Sequence, residues 1–341
     1  MIGLAQIGVG YWGGNLLRSF NSVEGGLLRR ICDDDSAKSA KLARQYPNAV
    51  ITSDFRDLLK ASDVDAVAIA TPAPTHYDLA RAFLEAGKHV FVEKPFVLDL
   101  GQAEELTELA ARKNLVLMVG HLLLYHPAYV ELKRRVALPE FGDLRYVVSE
   151  RASLGIIRTN ENVMWSFAPH DIALALFLIN ETPCEIQAMG QAYMQRGIED
   201  VCFLTLRFPS GRMAQIHVSW MFPRKVRLLT AVGSSQMIQV DDAEMNDKMA
   251  IFNIDADGRK AADAGSGGYA DRYQYETITF KRGDTILPRI SGAEPLKLEC
   301  QHFVDCIKNG SEPVSSGRAS LDVVRILAEA DRQLRKARGD A

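Results

Sequence analysis

At 341 residues the chain is longer than one hydrophobic core usually organises, so two domains are expected. With 47% apolar and 24% charged residues it has the make-up of an ordinary globular protein, and a formal net charge of −3 gives no electrostatic reason to expect nucleic acid or an anionic membrane as partner. The five cysteines, Cys32, Cys184, Cys202, Cys300 and Cys306, are odd in number and contain no CxxC pair, which argues against a disulfide framework and a zinc site and for a reducing, cytoplasmic setting. No basic n-region with a cleavage site opens the sequence, and the longest unbroken apolar run, IALALFLI, is far too short to span a bilayer.

Up to about residue 120 the runs LAQI, LLRRIC, AVI, DAVAIA, HVFV and LVLMV alternate with amphipathic stretches. Runs apolar on consecutive positions suit strands covered on both faces, as in a parallel sheet. Thr75, with Asp78 three residues on, predicts the cap of a helix whose apolar stripe is Leu79, Ala82, Phe83 and Ala86 and which Gly87 ends. Asp99 with Gln102 opens another, carrying Leu106, Leu109 and Ala110 and stopped at Asn114. Strand and helix alternating in this way predict a doubly wound α/β domain over residues 1–120.

Beyond residue 120 the pattern changes. A helical segment around 127–137 is followed by LRYVVSERASL, by the strongly apolar HDIALALFLI, and then by EIQAMGQAYM, VCFLTLRF, RMAQIHVSW, KVRLLTAVG and QMIQV, with turn residues such as PSG between them. These runs predict an antiparallel sheet. The Gly/Ala/Asp-rich stretch 255–270 reads as a loop, and helices at about 296–309 and 317–337 close the chain. The expected fold is α/β: an N-terminal Rossmann dinucleotide-binding domain over 1–120, then an α+β domain with an open, mostly antiparallel sheet over 121–341. VCFLTLRF and RMAQIHVSW carry apolar or aromatic residues on both faces, so a second subunit is expected to cover one of them in a homodimer or homotetramer.

Near the N-terminus stands GVGYWGGN. Gly8, Gly10 and Gly13 form G-x-G-x-x-G after the first strand and before a helix, where absent side chains permit a tight turn and a close approach to a pyrophosphate. The second strand ends in an acid, Asp33, 20 residues after Gly13. A carboxylate there hydrogen-bonds both ribose hydroxyls of NAD. Placing a 2′-phosphate beside it costs up to about 4 kcal/mol near 4 Å at an effective dielectric of ~20, which Arg30 or Lys38 nearby would lessen, so NAD is preferred over NADP. HVFVEKP puts Glu93, Lys94 and Pro95 at the carboxyl end of a parallel strand, where doubly wound sheets place their sites. WSFAPHDIALAL puts His170 near the start of an apolar helix, an imidazole able to take an alcohol proton at neutral pH. In isolation each has an ordinary reading as well, Lys94 as a solvated turn lysine and His170 as a packing or capping histidine. The seven histidines show no HxH or HxxxH spacing, and no metal is expected.

These stretches, with ATPAPTHYDLARAFLEAGKHVFVEKP, MVGHLLLYHPAY, FAPHDI and FVDCIKNGSEPV, resemble the Gfo/Idh/MocA family of nucleotide-dependent sugar oxidoreductases over nearly the whole chain. The resemblance implies an active site between the two domains, with Lys94 and His170 carrying catalysis, a cis Lys94–Pro95 peptide, and an oligomer built on the open sheet. It also implies cofactor contacts from Tyr11, Trp12, Thr71, Pro72, His76 and Glu93. Within the family, GYWGGN and FAPHD are similar to the branch acting on nucleotide sugars such as UDP-N-acetylglucosamine in envelope polysaccharide or lipopolysaccharide synthesis. Arg151 and Arg158 are candidate diphosphate contacts; Tyr125, His126, Asn162 and Trp165 are candidate sugar contacts, and each also reads as a surface arginine, core aromatic or loop polar residue. One departure stands out: many members carry aspartates four residues before and three after the histidine, where this chain has Ser166 and Ala173, and the adjacent Asp171 points about 100° away on a helix. The expected reaction is proton removal from a secondary hydroxyl by His170, with Lys94 stabilising the oxyanion and hydride passing to C4 of NAD. The alternatives are a polyol dehydrogenase such as one for inositol, a ketosugar reductase, and a non-catalytic NAD-binding sensor.

Overall fold

The structure is a computed structural model, described over residues 1–155, 157–255 and 281–339. The six apolar runs of the first part form β1 (Ile2–Ile7), β2 (Gly26–Cys32), β3 (Val50–Thr52), β4 (Ala66–Ile69), β5 (His89–Glu93) and β6 (Leu117–Gly120). They make one parallel sheet in the order β3-β2-β1-β4-β5-β6, the dinucleotide-binding topology in which strand order reverses between β1 and β4. The middle strands are buried on both faces because helices cover both: α1 (Tyr11–Phe20), α2 (Ser36–Gln45), the short α3 (Arg56–Leu59), α4 (His76–Glu85) and α5 (Leu100–Arg112).

The start of α5 is as expected, with Asp99 Oδ1 accepting from the Gln102 amide at 3.0 Å, and Asn114 ends the helix region at a φ of 53°. The start of α4 is not. Thr75 already has helical angles as the last residue of a 3-10 turn, and its hydroxyl donates back to the Pro72 carbonyl at 2.8 Å instead of capping. The buried stripe of α4 is correspondingly Leu79, Ala80, Phe83 and Leu84, and Ala86 is exposed.

The second part contains α6 (Pro127–Val136), β7 (Tyr146–Ala152), α7 (Val163–Ile179), β8 (Glu185–Gln191), β9 (Val201–Arg207), β10 (Met213–Ser219), β11 (Val226–Val232), β12 (Gln236–Asp241), β13 (Met249–Asp255) and β14 (Lys281–Ile286). The eight strands form a sheet in the order β14-β13-β12-β11-β7-β10-β9-β8, antiparallel throughout except where β7 lies parallel to β10. That parallel pair arises because the chain leaves β7 through α7 and re-enters the sheet at its far edge, β8. Beyond Asp255 the loop expected over 255–270 lies outside the described residues.

α7 is apolar on nearly every side because it is covered on nearly every side, by the inner face of this sheet and by the last helix. The closing helices, α8 (Pro295–Asn309) and α9 (Gly317–Arg338), brace both sheets: α8 packs on α1, while α9 packs on α5, α7 and β8. Phe303 of α8 meets Phe20 and Phe91 edge-on, with ring centroids 6.0 and 5.8 Å away, so one core continues from the parallel sheet into the second. Among the described residues no helix is long and apolar enough to cross a membrane.

Candidate active site

The first wall of the cleft is built from main chain. Gly8 has a φ of +85°, and a Cβ there would stand 2.6 Å from the Ala70 carbonyl oxygen; a Cβ on Gly13 would stand 2.4 Å from the Gly8 carbonyl oxygen. These two glycines let strand, turn and helix close on one another. Gly10 differs, since nothing lies within 4 Å of a Cβ built on it. That open position in front of the α1 N-terminus is the space a pyrophosphate needs, so the turn fits a dinucleotide. The Gln6 side-chain amide donates to the Gly8 and Gly13 carbonyls at 3.0 and 2.7 Å and fixes the turn.

Asp33 ends β2 beside this turn. Its Oδ2 accepts from the Val9 amide at 2.6 Å, and Oδ1 accepts from the Asp35 amide at 3.1 Å and Lys38 Nζ at 3.0 Å. Burial alone would raise its pKa, but Lys38 and the two amides outweigh it and hold the carboxyl below its usual range. One acceptor position remains on Oδ2 for a ribose hydroxyl. Tyr11 is exposed and Trp12 partly so; the Trp12 indole N–H donates to Glu93 Oε1 at 2.6 Å, joining the glycine turn to the end of β5.

Glu93 is buried, and burial pushes its pKa up to about 7 against the pull of Trp12 and Lys94. Lys94 follows, with a cis peptide to Pro95, and its Nζ donates to the Ser166 carbonyl at 3.3 Å. Burial lowers the Lys94 pKa, with Glu93 and Glu161 opposing. Ser166 sits one turn before His170 on α7, so the ammonium from the first wall meets the helix of the second wall at the level of the imidazole. Pro169 has no amide proton for the Trp165 carbonyl, which loosens α7 at this turn. His170 lies midway along α7 rather than near its start. Burial, followed by the charges of Lys94 and Arg151, lowers its pKa well below the usual value, so the ring is neutral and able to accept a proton.

Several expected contacts lie elsewhere. Arg151 is buried, donating from Nε to Asp171 Oδ2 at 2.6 Å, while Ser149 Oγ donates to Asp171 Oδ1 at 2.6 Å; it holds the helix, not a diphosphate. Asp171 is thereby engaged away from His170. Tyr125 is a core residue bonded to Ser315, and His126 caps α6 through the Ala128 amide with Asp242 beside its other nitrogen. Asn162 caps α7 through the Trp165 amide and donates to Glu199. His76 is buried with its ring nitrogens 2.9 Å from the Pro95 and Thr71 carbonyl oxygens, tying together the loops after β4 and β5 instead of facing the cleft. Thr71 Oγ1 is 2.6 Å from Thr75 Oγ1, and Pro72 is exposed beside it. Trp165 and Asn162 line a cavity of about 580 Å³ against α9, and Arg158 is exposed, paired with Glu161 at 3.1 Å.

Arg227 was not singled out by its sequence context. It stands directly opposite Arg151 in the sheet, 6.0 Å over the Phe167 ring, and its charge is felt at His170. Among the described residues no carboxylate lies within ion-pair distance of it. The signal was present in KVRLLTAVG: Arg227 shares the core-facing parity of Leu229 and Ala231, an odd place for a charge.

Fold and site together define an NAD-dependent oxidoreductase whose cleft opens between a dinucleotide-binding sheet and a second, open one. Residues 2–121 match the oxidoreductase family with NAD-binding Rossmann fold, and residues 129–239 match the GFO/IDH/MocA C-terminal domain. The chain belongs to the Gfo/Idh/MocA family. It is 33% identical over 248 residues, 72% of this chain and 75% of the relative, to UDP-N-acetylglucosamine 3-dehydrogenase of Acidithiobacillus ferrooxidans. It is 25% identical over 328 residues, 92% of this chain and 87% of the relative, to scyllo-inositol 2-dehydrogenase (NAD(+)) of Bacillus subtilis. The fold is that of the solved UDP-N-acetylglucosamine 3-dehydrogenase GnnA from Acidithiobacillus ferrooxidans, with a TM-score of 0.80 at 23% identity, covering 99% of this chain and 100% of that one.

Proposed function

We propose that the protein oxidises a secondary hydroxyl, at C3, of a nucleotide sugar such as UDP-N-acetylglucosamine. The observation that carries this reading is the meeting of Lys94 Nζ with the α7 turn that presents His170. His170, neutral because it is buried among cations, takes the hydroxyl proton; Lys94 stabilises the negative charge that develops on the oxygen. NAD, held by the glycine turn and Asp33, supplies when bound the acceptor for the hydrogen on the reacting carbon. Arg227 and Arg158 are the cations left for an anionic part of the substrate, the role that Arg151 does not fill. The relative at 33% identity supports a nucleotide sugar over a free polyol, and with it a place in envelope polysaccharide or lipopolysaccharide synthesis in the cytoplasm. The division we place at residues 120/121 gives NAD to the first part and the substrate to the second.

The outer face of the second sheet supports a homo-oligomer. Met189, Phe203, His217, Glu150 and Leu228 form one cross-strand row on it, with Phe203 stacked on His217 at 4.5 Å, and Met189 is 74% and Phe203 44% exposed.

The test is NADH absorbance with NAD and a panel of UDP-sugars, hexoses and inositols. UDP-N-acetylglucosamine is expected to turn over, and Lys94→Ala and His170→Ala each to lower kcat by about 10²- to 10⁴-fold. Activity surviving both substitutions overturns the assignment, and turnover of inositol without any nucleotide sugar replaces it with a polyol dehydrogenase.

A further inference from the structure

A cavity of about 460 Å³ runs along α7 behind the cleft. Its rim is exposed at Asn180, Thr182 and Val314, and its inner end is buried at His121, Ala173 and Ser315. His121, the residue after β6, is 3% exposed, and among the described residues no group hydrogen-bonds either of its ring nitrogens. A cavity of this size has room for water, which would give those nitrogens the partner they lack.

His170 and Ala173 are one turn apart on the same face of α7, and His170 Nδ1 is also buried without a partner among the described residues. Ala173 brings this face of α7 to the cavity, and the charge of His121, on the same cavity, is felt at His170. Burial, then the Lys94 charge, bring the His121 pKa down to about 4, so the ring rests neutral, with one nitrogen free to accept and the other to donate.

We propose that His121 carries the proton from His170 to bulk water through this cavity during turnover. The inference rests on the dehydrogenase reading with His170 as base. Oxidation of an alcohol to a ketone frees one hydride from carbon, for which NAD would be the acceptor when bound, and one proton from oxygen, which His170 takes. His170 must be neutral again before the next cycle. The proton passes from His170 through water to one ring nitrogen of His121; the other ring nitrogen gives up its own proton to cavity water, which leads out at the rim. His121 ends neutral but in the other tautomer, and a flip of its ring restores the accepting nitrogen before the next turnover.

His121→Phe keeps the ring and removes both nitrogens, and Ala319→Trp places an indole at the exposed mouth of the cavity. Assayed with NAD and UDP-N-acetylglucosamine, His121→Phe is expected to lower kcat about 10-fold while KM and NAD affinity stay within about two-fold. Its solvent deuterium isotope effect should grow and the isotope effect from deuterium on the reacting carbon shrink, a split that a packing defect does not produce. Added imidazole should restore part of kcat, and Ala319→Trp should show the same isotope pattern with His121 intact. A readout independent of turnover is histidine-ring NMR, in which exchange of the His121 ring proton with water should slow by about 10-fold in Ala319→Trp. Wild-type kcat and isotope effects in His121→Phe overturn the relay, as does a His121 ring shielded from water in the wild type. If those results come while the wild type turns over and His170→Ala does not, the relay alone falls; if no sugar or polyol is oxidised by the wild type, the dehydrogenase reading falls and takes the relay with it.

Discussion

The two walls of the cleft are made in different ways. On the dinucleotide side, the polar groups that matter are main chain, gathered in one turn by Gln6, Asp33 and three glycines. On the α7 side they are side chains from separated segments: Arg151 and Ser149 from β7 grip Asp171, Glu199 holds Asn162, and His121 comes from the end of β6. A wall of backbone is fixed by local geometry and tolerates change around it. A wall of side chains depends on each partner being present, because a buried polar group left alone costs more than the pair contributed.

That contrast can be broken most directly at Asp171. Asp171→Ala strands the Arg151 guanidinium, which is 3% exposed, and is expected to lower unfolding stability in urea by about 3–5 kcal/mol. A loss under about 1 kcal/mol would mean the pair is not what holds α7. The next largest effect tests the backbone wall. A Cβ on Gly10 meets no atom within 4 Å, so in Gly10→Ala stability should change by no more than about 1 kcal/mol, while calorimetry should show NAD binding weakened by about 100-fold, ~2.7 kcal/mol. Gly8→Ala should do the reverse first, losing about 1–3 kcal/mol of stability, since its φ is +85° and the Ala70 carbonyl crowds the added carbon.

An effect that depends on pH is expected within the dinucleotide wall, at Glu93. Its folded pKa of about 7 lies above the unfolded value near 4.5, so the folded state binds more protons between those pH values. The contribution is fully present below about pH 4.5 and is lost as pH rises through about 7. Urea unfolding at several pH values should therefore show wild-type stability falling over that window relative to Glu93→Gln, which cannot ionise. A pH-independent difference would mean that burial does not govern this carboxyl.

How much of this was legible follows the same division. The parallel sheet, the glycine turn, Asp33 and the Asp99 cap each follow a period or a fixed spacing along the chain, and that regularity exposes them. Arg151 and Tyr125 were misjudged because no fixed spacing ties them to their partners, Asp171 and Ser315, and nothing local shows a charge or hydroxyl to be satisfied. A hint existed in YVVSERA, where Ser149 and Arg151 share the inward parity of Val147, as Arg227 does with Leu229. The parallel β7–β10 pair was beyond reach, since strand order within a sheet is decided by long-range packing and not by the strands' own composition. His76 is the first residue of α4, at a start that was read as a Thr75 cap, which hid its place between two carbonyls.

The meeting of Phe20, Phe91 and Phe303 bears on how the protein is made. The first of these rings leave the ribosome long before the helix that covers them, so the N-terminal half waits with an apolar patch bare until translation is nearly finished. A fragment ending after β6 would keep that patch uncovered for good, and its natural fate is to stick to its own kind.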